Sequence, residues 1–154
     1  MSQINALTIH QNWAWAIAEG HKTIENRRSN SSYRGLLLIH AGRSDDSLDE
    51  SRAFCKSQDV PPPSKSQLPF GKIVAACMMI NSVEFGTLFA PRSPWAEGPW
   101  CYILSHIVKL QTPVLCRGMP GLFVPDDTIV QAVLRQLGTN DPRRLDDDPA
   151  ILMP

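Results

Sequence analysis

The sequence lacks a charge excess of either sign. Its 154 residues include 15 Lys and Arg and 15 Asp and Glu, so the formal net charge at pH 7 is zero. A protein that coats duplex nucleic acid through bulk electrostatics usually carries a clear basic excess. Any contact with nucleic acid is therefore expected to come from a local basic patch rather than from the molecule as a whole.

Cysteine pairs and long apolar runs are also missing. The four cysteines lie far apart, with no CxxC pair and no paired spacing of Cys and His, which argues against structural zinc. The longest apolar run, Ile73–Ile80, is too short to cross a bilayer, and the polar start at Met1–Asn5 does not resemble a signal peptide. We therefore expect a soluble cytoplasmic protein with reduced thiols, no metal, no cofactor and no membrane partner.

The apolar segments of the sequence predict several short strands. Hydrophobic residues make up 43% of the chain, which suits one globular domain at this length. Apolar and β-branched segments predict four strands, Ala6–His10, Tyr33–His40, Gly71–Ile80 and Trp100–Leu110, and then a strand, a turn and a short strand across Val114–Phe123. Gly71–Ile80 is apolar on both faces, which predicts a central strand.

Three helices are predicted between and after these strands. They span Asn12–Glu19, a segment from Ser47 to Cys55 or Ser57, and a segment from Asp126 or Asp127 to Gly138. Ser47 and Glu50 have the spacing of a capping box. Strands outnumber helices, which favours an α+β small barrel with helices over its ends rather than an alternating parallel sheet. The predicted domain is residues 1–138, followed by a loosely held tail at 139–154.

The densest group of polar residues is Gly20–Arg27, which overlaps a charged stretch, Lys22–Ser32, that we expect to be a surface loop. Lys22 offers a compact ammonium, and Arg27 offers a planar guanidinium suited to phosphate or carboxylate. Glu25 lies between them, where it can hold either cation or accept a hydrogen bond from a ligand. The alternative is a salt-bridge network that only pins the loop.

This segment resembles the signature of the ASCH family, GxKxxExR, whose specified positions are filled by Gly20, Lys22, Glu25 and Arg27. The flanking segments Leu7–Ala14 and Tyr33–Ala41 are similar to the family's LSxxQPWA and RGxLLIHA segments. The resemblance implies a PUA-like β-barrel with flanking helices, in which the signature residues line a cleft. Members of the family are thought to bind RNA or DNA, and a few small bacterial relatives remove the acetyl group from acetylated cytidine or cleave RNA.

The leading hypothesis is a nucleic-acid-binding module whose cleft holds a single strand or a flipped nucleotide of RNA or DNA. Lys22 and Arg27 would contact phosphate or a base edge, Glu25 would accept from an exocyclic amine, and Trp13 would stack on a base. Core packing is the alternative for Trp13. The predicted ligand-binding set also takes in residues of the matched flanks and of the basic patch, namely His10, Gln11 and Arg34. His10 and His40 each end a predicted strand and are expected near one rim of the barrel.

The alternative hypothesis is a small hydrolase acting on a modified nucleoside or on RNA. Lys22 would be its base or electrostatic stabiliser, and Glu25 its general acid or base. The amidohydrolase-type relatives carry a threonine nucleophile two residues before the signature arginine, where this chain has Glu25, and Thr23 stands directly after Lys22 instead. A third hypothesis is a protein-interaction module that uses the tail and the Pro61–Pro63 loop.

Overall fold

The computed structural model describes residues 3–88, 90 and 92–139, so most of the predicted tail, 140–154, lies outside the described range. Within that range a curled six-stranded mixed sheet forms a half-barrel, flanked by a few helices. The strands are β1 (Asn5–Ile9), β2 (Ile24–Arg27), β3 (Gly35–Ala41), β4 (Lys72–Glu84), β5 (Trp100–Leu115) and β6 (Leu122–Phe123). The helices are α1 (Trp13–Ala18), α2 (Leu48–Ser57) and α3 (Asp127–Gln136), with a short 3-10 turn at Lys65–Gln67.

The strands are ordered β2-β5-β4-β3-β1-β6 across the sheet. β1 and β3 pair in parallel, and the other neighbours pair antiparallel. The long strand β4 lies at the centre, between β5 and β3, which confirms the predicted central position of Gly71–Ile80. The α+β prediction is likewise confirmed, and none of the described helices has the length and apolarity that crossing a membrane requires.

Both faces of the sheet are buried, because helices cover each of them. Leu36 and Leu38 of β3 point to one apolar cluster, which α3 completes with Val133 and Leu134. The alternate residues of β3 point to a second cluster, which α1 completes. This period-two division within one strand explains why the sheet strands read as continuous apolar runs in the sequence. Packing against the second cluster positions α1 on the sheet. The candidate site begins at the C-terminal end of this helix.

Two local expectations are wrong. The stretch Lys22–Ser32 is not wholly a surface loop, because Ile24–Arg27 forms β2 along β5, with Ile24 and Glu25 buried. The charges of Lys22 and Glu25 are compatible with burial because the two side chains form an ion pair. Ser47 and Glu50 do not form a capping box, since Ser47 has a φ of 61° and its side chain makes no capping hydrogen bond. Both residues instead face a cavity beside α2.

Candidate functional site

The charged signature segment starts where α1 ends. Gly20 has a φ of 82°, a backbone conformation that favours glycine, and it turns the chain out of the helix. The backbone N–H groups of His21 and Lys22 then donate to the Ala16 carbonyl at 2.9 and 3.0 Å. The chain enters β2 directly afterwards, which turns the Lys22 and Glu25 side chains inward.

Lys22 and Glu25 form a buried ion pair. The Lys22 Nζ donates to the Glu25 Oε2 at 2.9 Å and also to the Ile24 carbonyl, and the two residues are 3% and 7% exposed. The Arg27 guanidinium donates to the other carboxylate oxygen of Glu25 at 3.4 Å and to the Thr8 carbonyl at 3.4 Å. Glu25 is therefore the shared acceptor that holds an ammonium and a guanidinium on opposite sides.

Three aromatic rings stand beside this pair. The ring centroids of Trp13 and Phe54 are 5.4 Å apart, those of Phe54 and Trp95 are 5.2 Å apart, and those of Trp13 and Trp95 are 6.3 Å apart. All three contacts are edge-to-face, the arrangement that ring quadrupoles favour. The Lys22 Nζ lies 6.0 Å from the Trp13 ring centroid. The rings come from α1, from α2 and from the segment before β5, so three separate parts of the chain build one wall.

The rings and the ion pair line a cavity of about 260 Å³, here called the aromatic cavity. Lys22 is the one cation among its lining residues in the described structure, whereas Glu25, Glu50 and Glu97 bring three carboxylates. Ser47 contributes a hydroxyl at the rim. The cavity therefore combines an apolar aromatic wall with an acidic lining that can accept hydrogen bonds from a ligand's amino groups.

Asn26 fixes one side of the aromatic cavity. Its Oδ1 accepts from the backbone N–H groups of Glu97 and Gly98 at 2.8 and 2.9 Å. Its Nδ2 donates to the Trp95 carbonyl at 2.8 Å. One side chain of β2 thus binds both ends of the segment that carries Trp95 and Glu97, and it determines where the aromatic wall stands relative to Lys22.

The structure brings together only part of the predicted site. Trp13, Lys22 and Glu25 line the aromatic cavity, and Arg27 lies beside it with its guanidinium against Glu25. Trp13 also packs against the core, so the two alternatives weighed for it are compatible. His10 lines a different groove, which it shares with Arg27 and His40 as the rim prediction expected.

Gln11 and Arg34 do not reach the aromatic cavity. Gln11 is fully buried, where its Oε1 accepts from the Trp15 N–H at 3.0 Å and its Nε2 donates to the Pro69 carbonyl at 3.3 Å. Arg34 is exposed, and its guanidinium donates to the Ser31 and Tyr33 carbonyls at 2.8 and 2.7 Å. The bonds of both residues hold loops in place.

Sequence reasoning missed the residues that complete the cavity: Asn26, Glu50, Phe54, Trp95 and Glu97. Asn26 stands inside the signature segment, at a position that the GxKxxExR pattern leaves open. The other four are far from it in sequence and carry no spacing that ties them to Lys22. Among the described residues, no group of three or more His, Cys, Asp or Glu side chains is placed to hold a metal ion.

Comparisons with known proteins agree with the signature. A family model described as the ASCH domain matches residues 7–107. Among solved structures, an ASCH protein from Zymomonas mobilis is similar with a TM-score of 0.55 at 13% identity, covering 86% of this chain and 94% of that one. A tyrosine-to-phenylalanine mutant of it gives 0.55 at 14% identity, covering 87% and 98%, and a serine-to-alanine mutant gives 0.54 at 14%, covering 86% and 95%. A comparison with curated proteins finds no match.

Proposed function

The chain belongs to the ASCH domain family, and from that premise we propose that it binds single-stranded nucleic acid by taking one base into the aromatic cavity. The observation that carries the proposal is the meeting of a three-ring wall with the buried Lys22–Glu25 pair in one small concavity. A base has an aromatic face that can contact the rings and an edge that can bond to the charged groups.

The size of the cavity supports a base as the ligand. Sites for drug-sized molecules have volumes of about 300–1,000 Å³. The aromatic cavity, at about 260 Å³, lies just below that range and suits a nucleobase or nucleoside. Stacking of one base on an aromatic side chain contributes about 1–3 kcal/mol. Trp13 is the ring best suited to this role, because Trp95 is buried and Phe54, which is partly buried like Trp13, has a smaller ring.

The charge of the cavity argues against a phosphate inside it. Three carboxylates face one ammonium there, and that ammonium is already hydrogen-bonded to Glu25 and to a carbonyl. A phosphate would meet net negative charge, whereas an exocyclic amine would find several acceptors. In the proposal Lys22 therefore orients Glu25, Glu25 accepts from the base edge, and phosphates stay outside near Arg27.

Replacement of Trp13 tests the proposal. We expect Trp13→Leu to raise the Kd for a fluorescein-labelled eight-residue single-stranded RNA or DNA by about tenfold, because the base no longer has an indole to stack on. Fluorescence anisotropy measures the Kd, and circular dichroism verifies that the variant is folded.

Trp15→Leu is the matched control. Trp15 lies on the same helix and is also partly buried, but it faces a groove on the other side, next to Gln11 and Pro69. Its replacement should leave the Kd unchanged. Equal affinity of wild type, Trp13→Leu and Trp15→Leu would sink the proposal, as would the absence of any oligonucleotide binding.

The hydrolase alternative has less support in the geometry. Thr23 is exposed and is not among the residues that line the aromatic cavity, so its hydroxyl is not presented to a base held there. Ser47 supplies a hydroxyl at the rim, but that hydroxyl makes no hydrogen bond to a described side chain that could act as its base. We propose binding without turnover, and incubation with an acylated nucleoside beside a Glu25→Gln control distinguishes the two functions.

A further inference from the structure

A second concavity, here called the arginine groove, opens where β1 and β3 end against the segment 117–121. Its volume is about 840 Å³, and three arginines line it: Arg27, Arg43 and Arg117. No carboxylate is among its described lining residues, in contrast to the acidic aromatic cavity. A groove lined by cations without carboxylates concentrates anions near it, even on a molecule with no net charge.

Two of these arginines are not committed to other charged groups. Arg43 and Arg117 are exposed, and neither takes part in an ion pair within the part of the chain that the structure describes. The Arg43 side chain lies on Gly71, where an added Cβ would come within 2.8 Å of the Arg43 Nε. The absence of a side chain at Gly71 therefore lets the Arg43 side chain pack against the backbone at that position. A free guanidinium can bind phosphate through two parallel hydrogen bonds.

The floor of the arginine groove adds no negative charge. His40 is buried, its Nε2 donates to the Cys116 carbonyl at 2.7 Å, and its Nδ1 lies 3.1 Å from the Thr8 hydroxyl. Burial lowers the pKa of His40, and the nearby Arg43 lowers it further, so the imidazole is neutral near pH 7. Gly118 packs so closely on this pair that a Cβ would come within 2.8 Å of the Thr8 hydroxyl. The floor is therefore polar, closely packed and free of negative charge.

A third concavity has lining residues in common with each of the other two. This middle groove, about 760 Å³, shares Asn26 and Glu97 with the aromatic cavity and shares Arg27 and Gly121 with the arginine groove. Arg28 also lines it. The three concavities are therefore neighbours on the surface, and the charge of their linings changes from acidic at the aromatic cavity to basic at the arginine groove.

From these shared residues and this change in charge we infer that the sugar–phosphate backbone of a bound single strand leaves the aromatic cavity past Arg27 and is held in the arginine groove by Arg43 and Arg117. The inference rests on the proposed function, since it assumes that one base occupies the aromatic cavity. It assigns the base to the acidic aromatic cavity and the phosphates to the basic arginine groove.

The salt dependence of binding tests the assignment. For single strands, log K falls with log salt concentration with a slope of about −0.7 for each phosphate that the protein neutralises. We expect Arg43→Gln with Arg117→Gln to weaken binding of the labelled eight-residue RNA severalfold and to flatten this slope by about 0.7 for each phosphate that is no longer neutralised. Arg135→Gln on α3, an exposed arginine outside the three concavities, is the matched control and should change neither value.

Two measurements distinguish failure of this inference from failure of the proposed function on which it rests. The part of the tryptophan quenching by a free nucleoside that Trp13→Leu abolishes reports on the aromatic cavity, and the arginine double variant should leave that part unchanged. An unaltered salt slope in the double variant, with tight oligonucleotide binding that still depends on Trp13, would overturn the arginine groove and leave the proposed function intact. Failure of the wild type itself to bind the oligonucleotide would overturn both.

Discussion

The carboxylate of Glu25 is buried and is the shared partner of two cations, Lys22 and Arg27. Lys22 is nearly inaccessible, and its ammonium has only Glu25 and one carbonyl as acceptors among the described residues. Removing one member of a buried pair leaves the other charge without a partner, which costs far more than loss of an exposed pair. The pair at Lys65 and Asp45 shows the contrast, since its N–O distance is 2.6 Å but its side chains are 60% and 59% exposed.

We expect Glu25→Leu to lower the free energy of unfolding by about 3 kcal/mol, because the buried Lys22 side chain then has no carboxylate partner. The double variant Lys22→Met with Glu25→Leu should recover much of that loss, since the buried ammonium is removed together with its partner. Arg27 also loses Glu25, but its side chain is partly exposed, so its unpaired charge costs less. Asp45→Asn, which breaks the exposed pair, should have almost no effect. Urea denaturation of these variants and of Lys22→Met measures each value, and strictly additive effects at Lys22 and Glu25 would contradict a coupled pair.

The same pair shows what sequence reasoning reaches at the residue scale. The signature spacing identified Lys22, Glu25 and Arg27, but hydropathy predicted a surface loop for them. Hydropathy scores each residue alone, whereas the burial of Lys22 depends on a partner three residues along and on aromatic rings contributed from elsewhere. A motif can therefore name the charged groups without telling that they neutralise each other inside the protein.

His40 gives a prediction for pH. Its pKa in the folded protein is below the ordinary value near 6.5, mainly because the ring is buried. Below pH 6.5 the unfolded chain therefore takes up a proton before the folded one does, so stability falls as the pH falls. We expect wild type to lose stability relative to His40→Gln between about pH 6.5 and pH 5. Urea denaturation across that range checks this, and parallel pH profiles of the two proteins would count against it.

At the scale of elements, β2 does more than its four residues suggest. It is an edge strand paired only with β5 within the described sheet, and Asn26 extends its influence to the segment that carries Trp95. The N–H groups of Glu97 and Gly98 both depend on the same amide oxygen. The geometry of the aromatic cavity thus follows from one side chain that does not itself need to contact the ligand.

We expect Asn26→Ala to raise the Kd for the labelled oligonucleotide severalfold, because the segment around Trp95 loses its fixed position. Asn26→Asp keeps an acceptor for the two N–H groups and loses the donor to Trp95, so its affinity should lie between those of wild type and Asn26→Ala. Asn81→Ala, at an exposed asparagine outside the three concavities, is the control. Hydrogen exchange should be faster at the Glu97 and Gly98 amides in Asn26→Ala, and unchanged exchange there would refute the positioning role.

The elements that the sequence predicted well are those with long apolar periodicity. β4, β5 and α3 lie close to the predicted segments, although β5 continues to Leu115 rather than ending at Leu110. β2 was missed because four residues with two charges carry no strand signal of their own. Its place is set by pairing with β5, a contact between residues far apart in sequence. Asn26 and Trp95 are also far apart in sequence, so the contact between them, and with it the cavity wall, could not be predicted from local patterns.

At the scale of the whole molecule, a net charge of zero conceals two regions of opposite character. Carboxylates collect at the aromatic cavity, and guanidiniums collect at the arginine groove. The local basic patch expected from the sequence stays a prediction, since Arg34, which was expected in it, lines neither of these regions. The α+β class could be predicted from the number of strands and helices, but the parallel pairing of β1 with β3 could not, because nothing local in either strand specifies its neighbour.

Helix α3 completes the apolar cluster that begins with Ala6 in β1, so the first strand and the last described helix share one core. During translation, a nascent chain on the ribosome can collect the parts of the aromatic cavity from α1, α2 and Trp95 before α3 has been made. It cannot close that cluster until α3 emerges, because Val133 and Leu134 supply one side of it. The segments that line the aromatic cavity are therefore synthesised before the helix that completes the apolar cluster on the other face of the sheet.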